Sequence, residues 1–213
     1  MTEAAKARTR LVLVTPAVDD AVAFAPKIEQ ACRVGDVAAV ILKLADMDAG
    51  AALSAIRIVS SHIEPFGAAL LLDGRADLVA AAGTDGAHFS TIEHLKTARS
   101  KLPSGRLVGV GGLVTRHDTM VAAESGIDYV LFGEPGEDGK RPGFPALLER
   151  VAWWAEIFQL PCIAYAGELA EVEKLSAANA DFVALGDELW NASGNAANFV
   201  TQATEKLKLQ KVA

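Results

Sequence analysis

The chain has 213 residues, 51% apolar and 22% charged, a balance that can fill one large core and does not read as a disordered chain. A formal net charge of -7, from 27 acidic against 20 basic residues, argues against a phosphate-backbone binder, so nucleic acid is not an expected partner. No apolar run approaches the roughly 20 residues that span a bilayer, which sets a membrane aside.

The opening MTEAAKARTR lacks the apolar stretch of a secretory signal. Cys32 and Cys162 form no C-x-x-C pair and read as buried thiols in a reducing compartment, so a cytoplasmic protein is expected. The first predicted strand is Leu11 to Thr15, and an amphipathic helix follows from Asp19 to Gly35. A second strand spans Ala38 to Lys43, with a helix from Asp48 to Ser61. The third strand, Gly67 to Leu72, runs into Asp73, Gly74 and Arg75 and then a helix of about three turns. Strands four and five are Asp85 to Phe89 and Leu107 to Gly111, and a helix from Arg116 to Ser125 precedes strand six, Tyr129 to Gly133. Phe144 to Phe158 is helical, Pro161 to Ala166 the seventh strand, Glu168 to Ala178 a helix and Phe182 to Gly186 the eighth strand. A closing helix is expected from about Asn195 to Leu209.

The strands are nearly continuous apolar runs, as parallel strands covered on both faces require. A joint of the form Gly/Asn-x-Asp recurs before strands at Gly83-Thr84-Asp85, Gly126-Ile127-Asp128 and Asn179-Ala180-Asp181, which marks a repeated βα unit. Eight such units predict a closed (β/α)8 barrel, with an open doubly wound sheet as the alternative. No linker divides residues 1–213, so a single domain is expected. In such barrels the chemistry gathers at the C-terminal ends of the strands, which draws attention to Asp73, Arg75 and His88. Trp153 and Trp154 are neighbours on one helix, about 100° apart. One of them is therefore expected to face outward as a contact surface, and a homodimer with it.

Three stretches occur in a telling order: LVLVT, then LLLDGRADLVAAAGTDGAH, then GIDYVLFGEP from Gly126 to Pro135. In type and order they resemble the thiamine-phosphate synthase family and its thiazole-tautomerase relatives, from Leu11 to about Leu189. The resemblance implies a TIM barrel of thiamine biosynthesis. It implies that an aminopyrimidine diphosphate loses pyrophosphate, with magnesium, and that a thiazole phosphate captures the resulting cation. Small phosphorylated heterocycles are then the expected ligands.

Carried over position by position, the resemblance implies Lys140 and Arg75 as catalytic cations, with Lys43, Arg75, His88, Gly111, Gly167 and Gly186 around the substrates. Asp73 and Glu93 are the implied magnesium ligands, although Gly74 stands where the family has its first metal-binding aspartate. Other departures are Ile41 and Ala45 flanking Lys43, and Gly111-Gly112-Leu113 in place of Ser-x-His. Each residue also has a structural reading. Lys43 suits a solvated strand end, Arg75 a pair with Asp77 or Asp73, and His88 capping or packing. Lys140 suits a surface loop, Glu137 to Arg141. The departures leave a second function open: a family member without synthase activity, either tautomerase-like or a phosphorylated-ligand-binding regulatory barrel.

Overall fold

The computed structural model describes residues 8–136, 138–191 and 196–209. Eight strands follow in chain order: β1 (Arg10–Val14), β2 (Val37–Leu42), β3 (Ala69–Asp73), β4 (Gly86–Phe89), β5 (Leu107–Val110), β6 (Tyr129–Phe132), β7 (Cys162–Ala166) and β8 (Phe182–Leu185). Each pairs in parallel with the next, and β8 returns to β1 with Leu13 opposite Leu185, closing a (β/α)8 barrel. That pairing eliminates the open sheet. The helices are α1 (Ala21–Val34), α2 (Ala49–Ile63), α3 (Ala76–Ala82), α4 (Ile92–Ala98), α5 (Arg116–Glu124), α6 (Phe144–Ile157), α7 (Leu169–Ala177), α8 (Asp187–Asn191) and α9 (Ala196–Leu209).

Strand alternation divides the core in two. Val12, Val14, Ile41, Leu71, Leu131, Ile163 and Tyr165 fill the barrel interior, while Leu11, Leu13, Val40 and Leu72 pack outward under the helices. The recurrent Gly/Asn-x-Asp joint proves to be a staple between strands. The carboxylates of Asp85, Asp128 and Asp181 accept from the backbone N–H groups of Leu70 (2.7 Å), Val108 (2.7 Å) and Cys162 (2.9 Å), each at the start of the preceding strand. The backbone N–H of each aspartate donates back to the carbonyl of the same residue. The joint also needs a left-handed residue to end its helix: Gly83 supplies φ 71° and Asn179 φ 69°.

Three expectations need correction. The helix after Arg75 is seven residues long, about two turns, because Gly83 caps it early. Gly67 is not in the third strand: it closes a 3-10 turn over Glu64–Phe66 at φ 68°, so β3 starts at Ala69 and reaches Asp73. Thr91 caps a short α4 that the sequence pattern did not predict. Of the two tryptophans, Trp154 is fully buried, stacked on Phe158 at 3.9 Å, and Trp153 is the half-buried, more outward one, with the Arg116 guanidinium 4.8 Å from its ring. Asn195 and Glu137 lie outside the described residues. No helix among the described residues is long and apolar enough to cross a membrane, and Cys32 and Cys162 are both buried.

Candidate active site

The C-terminal mouth is built from strand ends whose loops are pinned by the backbone. Thr15, after β1, accepts from the Lys43 N–H at 2.9 Å and fixes the point where Lys43 leaves β2. The Gly74 N–H donates to the His88 carbonyl at 2.8 Å, holding Asp73 beside β4. Between these ends lies a cavity of about 380 Å³, lined by Lys43, Asp73, Ser90, Thr91, Gly112 and Glu134 among others.

Behind Glu134 a chain of buried polar groups runs into the barrel. The His88 Nδ1 lies 3.1 Å from the Tyr129 hydroxyl, and its Nε2 lies 3.4 Å from Glu134 Oε2. The side chains of His88 and Glu134 are 1% and 8% exposed, so this pair is largely shielded from water. Burial, with Glu134 and Asp73 adding to it, pushes the Tyr129 phenol well above its ordinary value, so it keeps its proton. Burial also pushes the Glu134 carboxyl up, but His88, Lys43 and the Gly112 N–H together outweigh it and hold Glu134 low. Asp73 goes the other way: burial and the Glu134 charge raise it against the pull of His88 and Lys43. The mouth therefore pairs a carboxylate kept ionised with one more readily protonated.

Glu134 is the residue that motif matching missed. It stands between Gly133 and Pro135, where the resembled pattern runs directly from Gly to Pro. Its partner in the fold is Gly111: a Cβ on Gly111 would come within 1.7 Å of Glu134 Oε1. The glycine that replaces the family's serine is what makes room for this carboxylate.

The other implied site residues are dispersed around the mouth. Lys43 and Asp73 line the cavity, and His88 is buried behind Glu134. Arg75 instead pairs with Asp77, both of its contacts at 3.2 Å. Lys140 is exposed and paired with Asp138 at 3.0 Å. It lines an adjoining cavity of about 340 Å³ with Arg141 and Arg150, which shares Gly112, Glu134 and Gly136 with the first. The implied phosphate cradle is present but its nearby donors are engaged. The Gly167 N–H donates to Glu171 Oε2 at 2.6 Å, and Arg141 bridges Glu171 and the Tyr165 carbonyl. Beside Gly186, the Asp187 N–H donates to the Tyr165 hydroxyl at 2.9 Å. Burial pushes that phenol up to about 12, so it remains a neutral acceptor.

The two implied magnesium ligands differ in where they stand. Asp73 lines the cavity, whereas Glu93 is exposed in the first turn of α4. No group of three or more His, Cys, Asp or Glu side chains able to hold a metal occurs among the described residues. At Gly74 a Cβ would meet nothing within 4 Å, so the position of the missing carboxylate is open space. One cavity carboxylate is in keeping with magnesium, which is held by one or two carboxylates together with substrate phosphates and water.

Fold and mouth together define a (β/α)8 barrel with its polar site at the C-terminal strand ends. The family model described as Thiamine monophosphate synthase matches residues 11–189, and the chain belongs to that family. A thiamine-phosphate synthase from Rhodospirillum centenum is 38% identical over 85% of this chain and 89% of its own. One from Hyphomonas neptunium is 33% identical over 86% and 87%. Among solved structures, a thiamine phosphate pyrophosphorylase from Pyrococcus furiosus superposes with a TM-score of 0.75 at 14% identity, covering 94% of this chain and 96% of its own. A 3-hexulose-6-phosphate synthase reaches 0.69 at 17% identity, covering 93% and 99%. At those identities the structural likeness speaks to fold.

Proposed function

We propose that this thiamine-phosphate synthase-like barrel joins an aminopyrimidine diphosphate to a thiazole phosphate at its C-terminal mouth, releasing pyrophosphate. The observation that carries the proposal is the pair of adjoining cavities, one lined by Asp73, Glu134 and Lys43 and the other by Lys140, Arg141 and Arg150. A ligand with a neutral heterocycle and an anionic tail matches that division of charge. The heterocycle occupies the acidic side, and the diphosphate extends towards the basic side.

Loss of pyrophosphate builds negative charge on the leaving group and positive charge on the pyrimidine carbon it leaves. Cations fixed beside the first and carboxylates beside the second lower the barrier without reorganisation. Lys43 and Lys140 serve the leaving group, and Lys140 must release Asp138 to do so. Arg75, half-buried and paired with exposed Asp77, is the further cation within the loop after β3. Glu134, held ionised against His88, faces the developing cation. Thiazole phosphate docking at Gly167 requires Glu171 to leave that N–H. When bound with the diphosphate, magnesium would neutralise its charge, with Asp73 the cavity carboxylate that would hold it.

The test is to incubate purified protein with both substrates and magnesium and to quantify thiamine phosphate and pyrophosphate. Equal amounts of both products support the proposal. No product, together with no calorimetric binding of either substrate, refutes it.

A further inference from the structure

The N-terminal opening of the barrel, opposite the mouth, holds a cavity of about 290 Å³ that plays no part in the proposed reaction. Its floor is the apolar barrel interior: Val12, Leu71, Ile163 and the Tyr129 ring. Its walls are Ala39, Ala69, Leu107 and Phe182, all at least partly exposed, so a molecule entering from solvent meets them directly. Barrel interiors of this kind are normally filled by layers of branched side chains. Three consecutive strands withhold them at this end. Ala39 on β2 lies opposite Ala69 on β3, and Gly86 on β4 lies opposite Leu71. A Cβ at Gly86 would come within 2.0 Å of the Leu107 carbonyl oxygen, so β4 has no room to supply the missing bulk.

The charges at the rim are already matched within the protein. Arg10 pairs with Asp36 at 2.7 Å and donates to the Val37 carbonyl, and Asp128 accepts from the Val108 N–H at 2.7 Å. Neither calls for a counter-charge on a ligand, and an ion would lose hydration against apolar walls. Apolar cavities of about 150 Å³ bind benzene, so this larger one suits a fused pair of rings, with aromatic surface from Tyr129 and Phe182 to meet it. We infer that the N-terminal opening is a second ligand site, which takes a small uncharged aromatic compound of about two fused rings. It is separate from the mouth but touches one residue of the buried chain behind Glu134: Tyr129 lines the cavity, and its hydroxyl lies 3.1 Å from His88 Nδ1. The inference is independent of the reaction at the mouth.

The probe is indole, titrated by calorimetry into the full-length protein, with methyl-labelled NMR spectra to locate it. The wild type is expected to bind with a dissociation constant of about 1 mM or below, shifting the methyl signals of Val12, Leu71 and Ile163. Ala39→Leu and Ala69→Leu each extend a branched side chain from a cavity wall, and each should weaken binding by at least about tenfold. Thermal melts establish that the variants are folded, and the wild-type spectra locate the ligand without either of them. No binding by the wild type, methyl shifts confined to other parts of the protein, or undiminished binding in either folded variant overturns the inference. So does a dimer, seen by light scattering, that both leucine variants dissociate, because the opening is then a contact between copies of the chain.

Discussion

The packing of Glu134 against Gly111 gives a quantitative prediction. An alanine Cβ at position 111 would lie 1.7 Å from Glu134 Oε1, 2.7 Å from its Cδ and 3.2 Å from His88 Nε2. Gly111 is not among the positive-φ glycines, so the penalty is one of space and not of backbone torsion. The carboxylate has to leave its place, and overpacking of this kind costs about 1–3 kcal/mol. With about 2 kcal/mol as the central value, Gly111→Ala should lower Tm by about 4–8 °C in a chain of this length. In a Glu134→Ala background the obstructing oxygen is gone, and the same substitution should cost less than about 0.5 kcal/mol. The double-mutant cycle therefore predicts a coupling of about 1.5–2 kcal/mol, within the range of residues in direct contact. Urea unfolding followed by tryptophan fluorescence measures all four corners. Additivity to within about 0.5 kcal/mol would refute the contact as the reason for the glycine.

Three further outcomes are expected. Asp128→Ala strands the Val108 N–H at the start of β5 and should destabilise the protein by about 1–3 kcal/mol in urea unfolding; a change below about 0.5 kcal/mol would dismiss the staple as decoration. The folded state raises the Asp73 pKa, so folding takes up a proton there and Asp73 costs stability as pH rises from its ordinary 3.8 through the raised value. Asp73→Asn should hence be more stable than the wild type at pH 7, with the gain vanishing below about pH 3.8, as unfolding curves at the two pH values will show. Glu171→Gln replaces the anion held by the Gly167 N–H and Arg141, and should lower KM for thiazole phosphate about tenfold or more, given about 1.5–3 kcal/mol for a charge-assisted bond. An unchanged KM would place the phosphate elsewhere.

The barrel was legible because its signals are local and repeated. Each apolar run needs cover on both faces, and each Gly/Asn-x-Asp joint sets a left-handed cap beside an aspartate that staples the previous strand. Boundaries failed where one residue decided them, as when Gly67 closed a 3-10 turn and left the strand. The site was legible in part. Lys43, Asp73 and His88 come together because they end adjacent strands, a relation that strand order alone supplies. Glu134 was not, because its significance depends on a side chain that Gly111 lacks on the neighbouring strand. Nor could motif matching show that Gly167, although present, gives its N–H to Glu171 one helical turn later. Both are consequences of what fills a space, and a pattern of residue types does not record that.

Whether the two substrates are joined in the mouth around Lys43 is decided by a paired assay of wild type and Lys43→Ala. Both proteins, shown to be equally folded, are given both substrates and magnesium, and thiamine phosphate is followed over time. Product is expected from the wild type, with a fall in kcat/KM of about tenfold to 100-fold in the variant from loss of one charge-assisted contact. Equal rates from the two proteins would contradict it.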